Sequence, residues 1–241
     1  MPPADGLEGL LFDCDGVIAD TERDGHRVAF NQAFASEGMD LVWDEARYGA
    51  LLTTGGGKER MRRHFDETKW PVPEEERDDL IARLHKEKTD RFLRLIAEGK
   101  LPLRAGVQRL VDEALAAGVK VAVCSTSNER AVGGIVRMNL GDRRADKIPI
   151  FAGDIVPAKK PDPAIYNLAA ESLGLDPARC VVIEDSNNGL RAAHGAGMAC
   201  IVTVSFYTAD EDFSLAAKIV PELGDGAGTR ITLGDCAALV R

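Results

Sequence analysis

The stretch LLFDCDGVIADT, residues 10–21, decides the fold. An apolar run ends abruptly on two aspartates, Asp13 and Asp15, with one residue between them and Gly16 next. A short run apolar on both faces reads as a strand of a parallel sheet covered on both sides. Two like charges at its end repel each other unless something neutralises them.

Four further apolar runs read as buried strands, at residues 119–124, 148–151, 180–183 and 200–204. Helical patterns separate most of them. In GVQRLVDEALAAGV the residues Val107, Leu110, Val111, Ala114 and Leu115 follow the spacing of one helix face, and Gly118 stops that helix. PDPAIYNLAAESLGL repeats the pattern with Ile165, Leu168, Ala169 and Leu173. Such alternation predicts an α/β fold with a Rossmann-like parallel sheet. Residues 21–100 break the rhythm: they hold no strong strand and read as several helices, with WPVPEEE capping the longest. An all-helical domain inserted after the first strand is therefore expected, with hinges near residues 19–21 and 101–106. The assignment is 1–19 with 103–241 for the core and 20–102 for the helical cap.

The 241 residues suffice for one such domain with an insertion. The net charge of -9 gives no global electrostatic case for nucleic acid or an anionic membrane. Positive charge for an anionic ligand must be gathered locally or supplied by a metal. No run is long and apolar enough to span a bilayer. No signal-peptide pattern precedes the first strand, so any targeting peptide is expected to be already removed or never present. The five cysteines form no CxxC pair, and reduced, mostly buried thiols are expected.

Ligands of open α/β sheets bind beyond the carboxyl ends of the strands. The first two ends carry Asp13-Cys14-Asp15-Gly16 and Ser125-Thr126-Ser127-Asn128, a loop after the third carries Lys159-Lys160-Pro161, and the fourth end carries Glu184-Asp185-Ser186. Carboxylates, hydroxyls and an ammonium should converge on one edge. A hard divalent cation with oxygen ligands would neutralise the carboxylates, and Mg2+ also takes substrate phosphate. Asp13 and Asp185 are the natural side-chain ligands, with the Asp15 carbonyl and Glu184 beside them. Ser125 and Lys160 are placed to hold a phosphoryl group.

DxDG, a strand-end Ser, a Lys-Pro and a Glu-Asp pair, in this order, resemble the four motifs of the haloacid dehalogenase superfamily. The helical insertion resembles its cap domain. The resemblance implies that Asp13 is a nucleophile forming an aspartyl-phosphate. It implies that Asp15 is the general acid and then base, and that Mg2+ and Lys160 offset phosphoryl charge. The presence of Asp15 argues against a dehalogenase.

The glycine-rich loop of the insertion, Thr53 to Arg60, is not a P-loop: Leu52 stands where the first glycine belongs and Glu59 where Ser or Thr should follow the lysine. It still offers an anion site where a glycine-rich turn enters a helix. In DDLIARLHKEKTDRFLRLI the stripe Ile81, Leu84, His85, Lys88, Phe92, Leu95 carries two basic residues on an apolar face. With Lys58 they predict a second anion site and a substrate with two phosphates or one further acidic group. Glu22 and His26, one helix face apart, could reach hydroxyls between them. DTERDGHRVAFNQAF, LLTTGGGKERM, HKEKTDRF, EDSNNGLRAAHGAGM and FYTADEDF resemble the CbbY type of the superfamily, and DCDGV, VCSTSNE and KKPDPAIYNLAAESLG its plant and algal form. That resemblance implies a phosphatase of the chloroplast stroma (cytoplasm as alternative) acting on a small sugar bisphosphate, xylulose-1,5-bisphosphate; a monomer is expected. By the same resemblance Glu22, the loop Gly55, Gly56, Gly57 and Lys58, His85, Lys88, Ser125, Thr126 and Lys160 touch substrate, and His26, Thr54, Ser127 and Asn128 are further substrate-binding candidates. One extra residue before His26 departs from the bacterial form. A mutase of the β-phosphoglucomutase kind shares every core motif, and a non-catalytic sugar-phosphate sensor would bind without turnover.

Overall fold

The computed structural model describes residues 6–54, 56–226 and 228–240. In chain order, strand β1 (Gly9–Phe12) is followed by a π-helical turn (Glu22–His26) that runs into α1 (Arg27–Ser36). Then come α2 (Glu45–Leu51), α3 (Gly57–Glu67), a 3-10 turn (Glu74–Glu76) and α4 (Arg77–Ala97). Next are α5 (Val107–Ala116), β2 (Lys120–Ser125), α6 (Glu129–Leu140), α7 (Asp142–Ala145) and β3 (Ile150–Ala152). The chain ends with α8 (Ala164–Leu173), β4 (Cys180–Glu184), α9 (Asn187–Gly195), β5 (Ala199–Thr203), β6 (Lys218–Val220) and α10 (Leu233–Ala237).

The chain divides into two compact units, Met1–Asp20 with Leu101–Arg241, and Thr21–Lys100. The first unit is an α/β fold with six parallel strands in the order β3-β2-β1-β4-β5-β6. The order reverses at β1, whose two neighbours are β2 and β4, and such a switch point opens a crevice at the strand ends. β6 was not expected. Its three residues are too few to show a pattern, and Lys218 and Ile219 are exposed at the sheet edge. The α8 face also differs from the expected stripe. Ile165, Tyr166, Ala169 and Ala170 are buried, while Leu168 and Leu173 are only partly covered. Small alanines let the helix approach the sheet, and Tyr166 is turned inward by a carboxylate described below. All five cysteines are buried free thiols. Burial pushes them up, Cys124 to about 12.

The second unit, Thr21–Lys100, is all-helical among its described residues, with α1 packed along α4. Its core is aromatic: Phe30, Phe34, Trp43 and Tyr48 are fully buried, with ring centroids 4.8 to 6.1 Å apart. Both nitrogen and carbonyl of Trp43 bond the Asn31 amide, at 2.8 and 2.9 Å. No described helix is long and apolar enough to cross a membrane.

The sequence placed Glu22 and His26 on one face of an α-helix; the structure corrects this. They begin and end the π-helical turn. A π-turn closes its hydrogen bond over one residue more than an α-turn, and this one runs directly into α1.

Candidate active site

The strand ends of the α/β unit gather the expected groups. Asp13 follows β1, and its N–H donates to the Ile183 carbonyl at 2.9 Å, which continues the ladder with β4. Glu184 ends β4 and Ser125 ends β2. Lys160 reaches in from the loop after β3 and ties these strands together. Its ammonium donates to Asp13 Oδ1 at 2.6 Å, Glu184 Oε1 at 2.6 Å and the Cys124 carbonyl at 2.8 Å. All three ionic side chains are buried, Glu184 at 1% exposure. An ammonium has three donors, and here each has an acceptor.

Carboxylates crowd this edge. Oxygens of Asp13, Glu184 and Asp185 lie within 4.8 Å of one another. Burial, outweighing the nearby Lys160 charge, raises Asp13 to about 8, with Glu184 and Asp15 adding to the rise. Burial first, then the charges of Glu184 and Asp13, lifts Asp185 well above the usual carboxylate range. Burial depresses Lys160, but the charges and hydrogen bonds of Asp13 and Glu184 more than offset this and leave it above an ordinary lysine. Two buried carboxylates and a partly buried third crowd this one ammonium. An all-oxygen set of this kind fits a hard divalent cation.

Asp15 is held differently. Ser127 Oγ donates to Asp15 Oδ2 at 2.5 Å, Ser125 Oγ to the same oxygen at 3.4 Å, and Ser127 N–H to Ser125 Oγ at 3.1 Å. The turn that allows it is Gly16, at φ 75°, where a Cβ would lie 2.0 Å from Asp185 Oδ2. The structure thus joins Asp13, Asp15, Ser125, Ser127, Lys160, Glu184 and Asp185. Asn128 acts locally, its Oδ1 capping α6 by accepting from the Arg130 and Ala131 N–H groups at 3.0 and 3.4 Å. Thr126 lines a recess of about 480 Å3 with Gly153 and Lys159.

Several site residues escaped the sequence reading. Arg104 donates to the carbonyls of Gly16, Thr203, Val204 and Pro221, which locks the turn after Asp15 to the ends of β5 and β6. Tyr166 OH donates to Glu184 Oε1 at 2.6 Å. Gly189 is required for close approach, since a Cβ there would meet the Glu184 carboxylate at 1.9 Å. These contacts join residues far apart in sequence, and no local pattern announces them.

The helical unit arranges its own polar residues. Glu22 accepts from Tyr48 OH and lies 3.5 Å from Arg60, which in turn donates to Tyr48 OH at 3.0 Å. Lys88 Nζ lies 3.0 Å from His26 Nδ1, and 5.0 and 5.3 Å from the ring centres of Phe30 and Phe92. An ammonium can only donate, so Nδ1 accepts and the His26 proton sits on Nε2. Burial, then the charges of Lys88 and Arg60, hold His26 well below the usual imidazole range. Burial, then Lys88 and Lys58, lowers His85 as well. Gly57 abuts His85, its would-be Cβ 3.3 Å from the ring. In the glycine-rich turn, Thr54 is taken up by Arg63 and Arg60, and the Glu59 carboxylate folds back to within 2.1 Å of a Cβ built on Gly56. Lys58 is exposed, with no ion pair among the described residues. Gly55 lies outside the described residues.

Residues 7–197 match the family model of haloacid dehalogenase-like hydrolases, and the chain belongs to that family. It is an enzyme, a phosphatase of that family. A CBBY-like protein of Arabidopsis thaliana is 58% identical over 96% of this chain and 74% of its own length. Protein CbbY of Cereibacter sphaeroides is 44% identical over 94% of this chain and 98% of its own. A crystal structure of a CbbY mutant from Rhodobacter sphaeroides in complex with xylulose-(1,5)bisphosphate superposes with a TM-score of 0.77. It covers 91% of this chain and 96% of that one, at 43% identity.

Proposed function

We propose that the chain is a Mg2+-dependent sugar-bisphosphate phosphatase that removes the 1-phosphate of xylulose-1,5-bisphosphate, giving xylulose 5-phosphate and phosphate. The observation that carries this is the strand-end cluster, in which Lys160 bridges Asp13 and Glu184 beside Asp185 and a hydrogen-bonded Asp15. The likeness to the CbbY proteins supports the choice of substrate.

Asp13, Asp185, Glu184 and the Asp15 carbonyl would hold Mg2+, which when bound supplies positive charge to the phosphoryl oxygens and to the crowded carboxylates. An Asp13 carboxylate oxygen forms a bond to phosphorus as the bond to the sugar oxygen breaks. Asp15 gives its proton to that departing oxygen. Ser127 and Ser125 hold Oδ2 of Asp15 by hydrogen bonds and so orient its carboxyl. After the sugar leaves, Asp15 takes a proton from water as the water attacks the aspartyl-phosphate, and Asp13 is regenerated. Lys160 compensates charge on Asp13 throughout.

In the same reading the helical unit recognises the rest of the substrate. Lys88, His85, Lys58 and the turn of Thr54, Gly55, Gly56 and Gly57 take the second phosphate. Glu22 and His26 read hydroxyls, and Thr126, Ser127 and Asn128 border the transferred phosphoryl group. The enzyme acts as a monomer in the chloroplast stroma, a placement supported by the high identity with the Arabidopsis relative.

The test is phosphate release from xylulose-1,5-bisphosphate, ribulose-1,5-bisphosphate and β-glucose 1-phosphate, each with Mg2+ and with chelator. Rapid, Mg2+-dependent release from the first and little from the second is expected. Conversion of β-glucose 1-phosphate to the 6-phosphate, without phosphate release from any of the three, would replace the phosphatase with a mutase.

A further inference from the structure

The helical unit holds a cavity that the phosphatase reading does not use. Its volume is about 430 Å3, within the range of small-molecule sites. Met39, Leu41, Phe65 and Pro71 give it apolar walls. Of the four polar side chains in the lining, Asp40, Thr68 and Lys69 are exposed and His64 is buried, at 7% exposure.

The protonation of His64 follows from its neighbour. Arg47 Nε and Nη2 approach Nδ1 at 3.1 and 3.0 Å. A guanidinium has donors only, so Nδ1 must offer its lone pair and the ring proton sits on Nε2. Burial, then the Arg47 charge, keeps the imidazole neutral, against a smaller opposite pull from Glu67. Nε2 has no hydrogen-bond partner among the described residues. It is also absent from the fully occluded unpaired nitrogens, which are Arg27 Nε, Trp43 Nε1 and Arg77 Nε. Nε2 therefore keeps some exposure, and His64 lines the cavity. An oriented N–H donor beside apolar walls is open to an acceptor that enters the cavity.

We propose that this cavity binds a small apolar or aromatic molecule carrying one carbonyl or carboxylate oxygen, which accepts from His64 Nε2–H. Lys69 and Asp40 stand at the lining as well, both exposed. Their charges oppose each other, so a neutral carbonyl and a carboxylate are both admissible, and paired probes separate them. Nothing in this inference depends on the reaction at the strand ends.

Reporters are built in. The chain has two tryptophans. Trp43 lies 5.4 Å from the His64 ring and Trp70 lies 5.1 Å from Phe65, centroid to centroid. Titration of the intact protein with benzamide and with benzoate, read by tryptophan fluorescence, should give a saturable change with Kd on the order of 1 mM, as expected for fragments of this size. In parallel, the 15N resonance of one histidine Nε2 should move with the same midpoint. His64→Phe should weaken both probes by about tenfold. Lys69→Ala, an exposed change that leaves the fold alone, should weaken benzoate by about twofold to fivefold and leave benzamide unchanged. No saturable fluorescence change with either probe, or a change with no moving histidine resonance, would overturn the proposal whether or not His64→Phe folds.

Discussion

Two lysines invite comparison. In the α/β unit Lys160 is buried, and its three donors go to two carboxylates and a carbonyl. In the helical unit Lys88 is half-buried, held by a neutral imidazole and the faces of two phenyl rings. Carboxylates neutralise an ammonium; a lone pair and ring faces orient one. The first arrangement suits a centre where charge must be balanced while bonds change. The second fixes the direction of a side chain and so suits recognition.

Mutation can break this contrast, and the largest effect belongs to the carboxylate that Lys160 serves. Asp13→Asn removes the nucleophile and should cut kcat by at least about four orders of magnitude, measured as phosphate release under saturating substrate. Retained turnover would remove Asp13 from the chemistry. Lys160→Met comes next. It leaves Asp13 and Glu184 buried without their cation, and urea unfolding without metal should show a loss of roughly 3–5 kcal/mol. A loss below about 1 kcal/mol would mean that the carboxylates are protonated or hydrated enough not to need it.

Lys88→Ala sharpens the other half of the contrast. It should leave stability within about 1 kcal/mol. It should raise KM for a sugar bisphosphate by about tenfold or more while leaving p-nitrophenyl phosphate nearly unaffected. Equal effects on both substrates would sink the idea of a second anion site. The smallest effect is a pH dependence. His26 is held below its unfolded value of 6.5 by burial and by the Lys88 and Arg60 charges. Below pH 6.5 the unfolded chain therefore binds more protons than the folded one, and stability falls as pH drops through that value. His26→Asn should flatten the thermal-melting profile between pH 7 and 5; a profile identical to that of the parent would show that His26 titrates normally in the folded protein.

How far the sequence foretells these parts differs between the units. Five strands were legible because each is an apolar run that ends on a polar cluster, as Leu10, Leu11 and Phe12 end on Asp13. Their convergence followed from topology alone. β6 was not legible, since Lys218, Ile219 and Val220 show no period and two of the three are exposed. Arg104 was missed because its meaning lies in carbonyls 88 to 117 residues away. Tyr166 sits on a stripe that reads equally well as core, and only Glu184 behind it gives the hydroxyl a purpose. In the helical unit, Lys88 could be named from the interrupted apolar face and His26 from its spacing to Glu22, but not their mutual contact across 62 residues. The π-turn was hidden because an extra residue in a helix looks, in sequence, like a longer helix.

The most direct measurement is rapid acid quench of a single turnover by an Asp15→Asn variant, followed by mass analysis of the peptide that contains Asp13. With the second-step base removed, one phosphoryl group should accumulate on that peptide and decay at the rate of phosphate release. Phosphate release in the same turnover with no modified Asp13 peptide at any time would contradict the account, because the strand-end cluster would then act by direct attack of water.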